Sequence, residues 1–300
     1  VTGVQTCALP IYQIPYESGG HDVEKVLRAD EVMKSPGIPE KNDLVKQIRS
    51  RNIPVISEIE LAYRHSGNSK IIGITGSNGK TTTTALTFHI CQLGGLDAAL
   101  VGNIGISMAR QVALDPRPWY VAEISSFQLD DIRDFRAHVA ILTNITEDHL
   151  DRYDYRFENY IRSKFQIVRN QQANDYFIYC EDDPVTMQYI RNYSILANPL
   201  PFTMNKENNR GTFIRNGQMS LTAGEERLQM SIYDFTLKGK HNQYNTMAAG
   251  IAAATVGIRK EKIREAIASF ESLAHRMEVV ASVRGVEFSN RSEEHTSELQ

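Results

Sequence analysis

The chain is poor in cysteine and tryptophan, with Cys7, Cys91 and Cys180 and a single Trp in 300 residues. An odd number of widely spaced cysteines makes neither a disulfide framework nor a zinc site, and a reducing cytoplasm fits best. Cys91, on an apolar helix face, reads as packing. Basic blocks are also missing. With 33 Lys and Arg against 36 Asp and Glu the net charge is −3, so nucleic acid is not the expected partner. No apolar run approaches the ~18–20 residues that span a bilayer, and neither a membrane partner nor a signal peptide is expected. What remains is globular in composition, 41% hydrophobic and 23% charged. The length suggests roughly two domains and a sizeable core.

The most informative stretch is Gly73-Ile74-Thr75-Gly76-Ser77-Asn78-Gly79-Lys80-Thr81-Thr82. An apolar β-like run over residues 71–74 enters a glycine-rich loop, which closes with Lys-Thr at the start of a helical pattern. Small residues let backbone N–H groups turn toward phosphate oxygens, and the helix N-terminus adds partial positive charge. Gly76, Ser77, Asn78, Gly79 and Thr82 would line the cradle, Lys80 would meet β/γ-phosphates, and the Thr81 hydroxyl would hold Mg²⁺. The standard P-loop has a glycine where this chain has Ile74. An ordinary βα turn is the alternative.

Strand–helix alternation from about residue 69 predicts an α/β domain with a mostly parallel sheet. Strands are expected at 98–101, 119–124, 139–143 and 177–180. Helices are expected after the loop, stopped by Gly94-Gly95, and over 157–170. The pattern then changes. Residues 212–215 and 218–221 flank Asn216-Gly217, a type I′ hairpin signal. A third short strand is expected at 228–232. Helices return at 242–256, ended by Gly257, and at 261–270, where Ile263, Ala266, Ile267 and Phe270 form an apolar stripe. Before residue 69, a helix over 41–51 and strands at 29–33 and 53–56 supply too little for a complete doubly wound domain. Residues 279–288 read as an opening hairpin of something further.

Several polar residues stand at predicted strand exits, where an open α/β sheet places its ligand crevice. Gly102-Asn103-Ile104-Gly105 is one such exit, and a bland turn is the alternative. Glu123 ends an apolar strand, where a carboxylate calls for Mg²⁺, a salt bridge or a helix cap. Asp148, His149 and Asp151 leave the next strand and offer a metal ligand, substrate contacts or structure. Lys164 reads as a solvated or snorkelling lysine on composition alone. Asn242 and Asn245 share a helix face, for capping or for contact with a nucleotide.

Taken together, these residues resemble the Mur ligase family. The most telling pieces are Thr75 to Thr81, Gly102 to Gly105, Glu123-Ile124-Ser125-Ser126-Phe127-Gln128-Leu129 and Asn144 to Arg152. The family's own short phosphate loop accounts for Ile74. The Ser-Ser-Phe-Gln-Leu run favours the branch that adds D-glutamate over its sister ligases and over folylpolyglutamate synthetases. The resemblance implies a cytoplasmic ATP-dependent amide ligase of peptidoglycan precursor synthesis, probed by two substrates, UDP-N-acetylmuramoyl-L-alanine and D-glutamate, and acting as a monomer. The terminal carboxylate becomes an acyl phosphate, which the amine of D-glutamate attacks. It further implies that Lys80 holds ATP phosphates, that Thr81 and Glu123 bind a first Mg²⁺, and that His149 binds a second. Lys164 matches a carbamylated lysine that supports Mg²⁺ as an anion. Asn103, Ser125 and His149 would face the UDP-sugar peptide, with Ser35 and Gly37 near its diphosphate. Asn242, Asn245 and the hinge residue Arg276 would face ATP. A nucleotide-binding P-loop fragment without ligase activity is the rival reading.

The resemblance runs from about Tyr12 to Asn290. Residues 1–11 and 291–300 read as foreign, adapter-like tails. Residues 12–68 then correspond to part of an N-terminal UDP-substrate domain of Rossmann-like type, 69–272 to the central ATP-binding domain, and 273–290 to the start of a truncated C-terminal domain. On that basis the polypeptide as written is expected to show little or no ligase turnover while retaining weak Mg-ATP binding.

Overall fold

The structure is a computed structural model that describes residues 17, 19–224, 226–271, 278–283 and 286–290. The two tails, Cys7 and Arg276, of which expectations were stated above, lie outside the described residues.

A small parallel unit comes first. Helix α1 (Val23–Val26) leads to β1 (Val32–Met33), and α2 (Asp43–Ser50) to β2 (Val55–Ile56). Strands β1 and β2 pair in parallel, Val32 beside Val55 and Met33 beside Ile56. Asn42 caps α2 by accepting from the Leu44 and Val45 N–H groups. Leu27, Ile48 and Val55 close the unit's own small core. Helix α3 (Glu58–His65) then leads into the main sheet.

That sheet has nine strands in the order β11-β10-β9-β8-β7-β6-β3-β5-β4. Its members are β3 (Lys70–Thr75), β4 (Ala98–Gly102), β5 (Trp119–Glu123), β6 (Val139–Leu142), β7 (Tyr176–Cys180), β8 (Asn198–Thr203), β9 (Gly211–Arg215), β10 (Gln218–Ala223) and β11 (Glu226–Ser231). Pairing is parallel from β4 through β9 and antiparallel across β9, β10 and β11. Sheets of this kind bury both faces, so alternate residues enter different cores. Ile72, Ile74, Val121, Val139 and Ile141 face one core, with α4 (Lys80–Leu93), α9 (Lys240–Thr255) and α10 (Lys260–Ser269). Ile71, Tyr120, Ala122, Ala140 and Leu142 face the other, with α3, α5 (Met108–Leu114) and α7 (Phe157–Phe165). The remaining helices are α6 (Ser126–Leu129) and α8 (Pro184–Ile190), and β12 (Glu278–Val283) pairs antiparallel with β13 (Val286–Asn290).

Most strands fall within two residues of expectation. The hairpin turns at Asn216 and Gly217, whose φ values of 50° and 74° are those a type I′ turn requires. Three differences have physical causes. The helix expected over 157–170 is α only to Phe165 and tightens into a 3₁₀ turn, Gln166–Val168. The strand expected at 29–33 shortens to Val32–Met33. Strand β8 was not anticipated, because Pro199 and Pro201 interrupt its pattern. The Asn198 N–H points to the β7 side, donating to Asp175 O at 2.8 Å. The alternate residues 199 and 201 therefore face β9, which pairs only with Phe202 and Thr203. Both prolines sit where no ladder donor is needed. Among the described residues, no helix is long and apolar enough to cross a membrane.

Candidate active site

The loop between β3 and α4 is built from backbone. Gly76 and Gly79 have φ of 150° and 82°. A Cβ on Gly76 would overlap the Thr143 hydroxyl, and one on Gly79 would overlap the Asn245 amide. Only glycine meets both demands. Helix α4 starts at Gly79 with no side-chain cap. The free N–H groups of its first turn, with the helix dipole, make an anion site. Lys80 lies over the loop, its Nζ donating to Ser77 O at 3.2 Å. Thr81 is buried in the first turn, 9% exposed.

A second loop, after β6, braces the first. The Ser77 N–H donates to Asn144 O at 2.9 Å. The Asn144 side chain accepts from the Asn78 N–H at 3.0 Å and donates to Asn78 O at 2.9 Å. The Thr143 hydroxyl donates to Asn78 O at 2.7 Å. Ser77 Oγ donates to Thr146 O at 2.9 Å and accepts from the Thr146 N–H at 3.0 Å. Asp183, at the N-cap of α8, accepts from the Ile145 N–H at 3.1 Å and holds the brace from behind. Neither Thr143, Thr146 nor Asp183 stood out as a site residue in the sequence. The Asp183-Pro184 pair does carry a helix-start signature that was there to be read.

Glu123 ends β5 directly beside β3, paired with Ile74 on one side and Gly102 on the other. Its side is 2% exposed. The Gly102 turn is tight: a Cβ there would overlap Glu123 O, which instead accepts from the Asn103 N–H at 3.0 Å. Asn103 itself is exposed at the strand exit. Lys164 is 1% exposed, not solvated as composition alone suggested. Its Nζ donates to Gly76 O at 2.7 Å and lies 4.5 Å from the Tyr160 ring centre. The Tyr160 hydroxyl is 3.2 Å from Ser77 Oγ. Helix α7 thus delivers a buried amine, with a tyrosine beside it, to the underside of the phosphate loop.

His149 sits in the left-handed region, φ 52°, an uncommon conformation for this residue. Its ring packs edge-on to Phe127 with centres 5.1 Å apart, and its Nε2 lies 3.5 Å from Asp148. Ser125 forms a reciprocal capping box with Gln128, so the Ser-Ser-Phe-Gln-Leu run has a structural role in starting α6. Ser35 and Gly37 belong to a turn in which the Ile38 N–H donates to Ser35 O at 3.0 Å. That turn reaches the His149 segment through Arg152, which donates to Pro36 O at 2.8 Å. Asp151 is exposed beside it.

At the other side of the loop, Asn245 receives the Thr83 hydroxyl at 3.2 Å and donates to Asn242 Oδ1 at 3.1 Å. A cavity of about 300 Å³ opens there, lined in part by Gly79, Asn144, Phe202, His241, Tyr244 and Asn245. Tyr244 donates to Asp182 at 2.8 Å. The phosphate loop, Asn245 and an aromatic wall therefore share one cavity, a shape and chemistry suited to a nucleotide. Cys91 is fully buried and burial pushes its thiol up to about 12, so it is packing, as expected.

For Mg²⁺ the donor set has the right hardness. Thr81 and Glu123 offer oxygen, and Mg²⁺ characteristically completes its shell with water and substrate phosphate. Among the described residues no group of three or more His, Cys, Asp or Glu could hold a metal by itself. The oxygens of Thr81 and Glu123 would therefore supply only part of a shell, the remainder coming from water and phosphate.

The parallel sheet, the glycine loop and the cavity beside it define an α/β domain of the phosphate-loop kind. The model of the Mur ligase middle domain matches residues 74–253, and the chain belongs to the Mur ligase family. Within it, the chain is 47% identical over 279 residues to the UDP-N-acetylmuramoylalanine--D-glutamate ligase of Bacteroides fragilis (strain YCH46), covering 93% of this chain and 62% of that protein. It is 46% identical over 283 residues to the ligase of the same name from Porphyromonas gingivalis (strain ATCC BAA-308 / W83), covering 94% of this chain and 63% of that one. The chain thus spans a little over six-tenths of the length of these curated relatives. In fold it is similar to MurF from Acinetobacter baumannii, with TM-score 0.62 at 16% identity, covering 90% of this chain and 67% of that one. It is also similar to the UDP-N-acetylmuramate:L-alanyl-gamma-D-glutamyl-meso-diaminopimelate ligase of Neisseria meningitides, with TM-score 0.60 at 19% identity, covering 91% and 89%.

Proposed function

We propose that the chain carries the nucleotide site and the site for the carboxylate substrate of an ATP-dependent ligase that joins D-glutamate to UDP-N-acetylmuramoyl-L-alanine, in the cytoplasm and as a monomer. The observation that carries this reading is the juxtaposition of an uncapped helix start, Lys80 and buried Lys164 on one glycine loop. The names of the relatives, at 46–47% identity, supply the substrates. In this reading residues 69–272 form the ATP-binding domain, and residues 12–68 contribute to the UDP-substrate domain.

A carboxylate resists attack by an amine until it carries a good leaving group. Phosphoryl transfer needs positioned charge more than covalent help from the protein. The loop N–H groups and Lys80 would hold the transferring phosphate. Thr81 and Glu123 would hold one Mg²⁺ and His149, supported by Lys164, a second; the ions supply charge neutralisation on phosphate. Lys164 now donates to Gly76 O. Carbamylation would make it an anion and leave one N–H on Nζ, enough to keep that hydrogen bond. Asn103 and Ser125 would flank the sugar-peptide, Ser35 and Gly37 its diphosphate, and Asn242 and Asn245 the nucleotide.

The test grafts residues 17–290 into the Bacteroides fragilis ligase in place of its matching segment. ADP release that depends on both UDP-N-acetylmuramoyl-L-alanine and D-glutamate is expected. Release that ignores D-glutamate, or that requires a different amino acid, overturns the reading. Lys164→Ala should abolish turnover, and ADP release that needs no D-glutamate and survives this substitution would favour a simple nucleotide-binding switch.

A further inference from the structure

The turn holding Ser35 and Gly37 is tied to the rest of the molecule by three side chains that neither the sequence pattern nor the proposed mechanism accounts for. The first is Lys34, immediately before the turn and only 7% exposed. Its Nζ meets Asp131 at 3.2 Å, Glu40 at 3.3 Å and Ile38 O at 3.1 Å. The ammonium thus donates to one carbonyl and is flanked by two carboxylates. Two of these acceptors, Ile38 and Glu40, lie just after the turn, so the chain from 35 to 40 closes around its own preceding amine. The third, Asp131, belongs to the loop that follows α6 and is 3% exposed. Asp131 also pairs with Arg49 of α2, and its carbonyl accepts from the Ser57 N–H at 2.9 Å. The node therefore joins the first parallel unit to the sheet through buried charge.

The second tie is Arg152. Its guanidinium stacks over Phe127, 4.4 Å from the ring centre, while donating to Pro36 O. Stacking and a fixed donor fork pre-organise the group. Its own N–H donates to His149 O at 2.9 Å, so one short turn carries both the His149 side chain and the tether on the 35–38 turn.

We propose that Lys34, Asp131 and Arg152 are positioning residues that set where the Ser35–Ile38 turn stands relative to His149, and so fix how the UDP-sugar substrate lies against the phosphate loop. This rests on the ligase reading above. Buried ion pairs are weak devices for stability, often replaceable by apolar groups. They do fix a geometry, and a misplacement of about 1 Å can cost on the order of 100-fold in a reaction that depends on orientation.

The experiment measures binding of UDP-N-acetylmuramoyl-L-alanine and of Mg-ATP, separately, to the unaltered chain and to Arg152→Ala, Arg152→Lys and Asp131→Asn. Arg152 is at the surface, so its variants guard against a failure to fold at Asp131. Affinity for the sugar peptide should fall on the order of ten-fold in Arg152→Ala and Asp131→Asn, and recover in part in Arg152→Lys, which keeps a cation at that position. Affinity for Mg-ATP should stay within about two-fold, because no tie touches the loop or the Asn245 cavity. Hydrogen exchange at the Ile38 and Asn42 amides should quicken in the same two variants. Sugar-peptide binding unchanged in Arg152→Ala and Asp131→Asn, or both ligands weakened equally, overturns the inference and leaves the ligase reading standing. No sugar-peptide binding by the unaltered chain overturns both.

Discussion

The phosphate loop and the joint around Asp131 are both cross-braced, yet they are made in opposite ways. The loop is held by backbone: glycines at positive φ, carbonyls and N–H groups, and short uncharged side chains from the β6 exit. The joint is held by charge, with buried Lys34, Asp131 and Glu60 and the more exposed Arg49 reaching across elements far apart in sequence. Backbone devices leave N–H groups available for a ligand. Charged devices use up their hydrogen-bonding capacity inside the protein. The first kind suits a binding surface and the second a fixed attachment.

This contrast can be broken, beginning with the largest effect. Gly76→Ala would drive a Cβ into the Thr143 hydroxyl at a φ that L residues rarely adopt. Strain and overpacking together should cost about 3–5 kcal/mol locally. Titration calorimetry should show Mg-ATP binding lost, and retention of affinity would mean the loop is not the phosphate site.

Glu60→Gln comes next. Glu60 is fully buried and accepts from the Arg133, Asp134 and Phe135 N–H groups and from Arg64. Burial alone would raise its pKa, but the three backbone donors and Arg64 outweigh that and leave it below the usual value. A depressed carboxyl contributes stability that is present above its unfolded value, near 4.5, and is lost as pH falls through the lower folded value. The substitution should therefore destabilise by about 2–4 kcal/mol at pH 7. The gap between variant and unaltered chain should close in urea melts below about pH 4. A gap independent of pH would show that packing, not charge, makes the joint.

Asn144→Ala removes two hydrogen bonds from the brace without touching a glycine. A loss of about 1–2 kcal/mol is expected, read as a roughly ten-fold weaker Mg-ATP affinity. The smallest effect belongs to Lys262, whose pair with Glu265 is exposed. Lys262→Ala should move stability by no more than ~0.5 kcal/mol. A larger shift would mean that surface charge matters here as much as buried charge does.

The same contrast explains what the sequence disclosed. Gly76, Gly79, Lys80 and Thr81 fall within six consecutive residues, and their spacing follows from local backbone geometry. The hairpin at Asn216-Gly217 and the stops at Gly95 and Gly257 are equally local, all with φ above zero. The brace was half legible: Asn144 fell within a polar strand exit, but nothing local said that its amide would close on Asn78. The Asp131 joint was illegible, because Lys34 and Asp131 lie 97 positions apart and each looks like an ordinary surface charge. Short helices such as α3, α5 and α8 escaped notice because seven or eight residues give too few turns for a period to emerge. Strand β8 hid behind its prolines.

Lys164 has one further consequence. Its amine is bonded to the carbonyl of Gly76, the very residue at which the β3 strand turns away into the loop. A change in the charge on that nitrogen is therefore felt first by the peptide unit joining Gly76 to Ser77. Any disturbance of this buried nitrogen would thus reach the loop from beneath, through the strand end that carries it, rather than from the side that faces solvent.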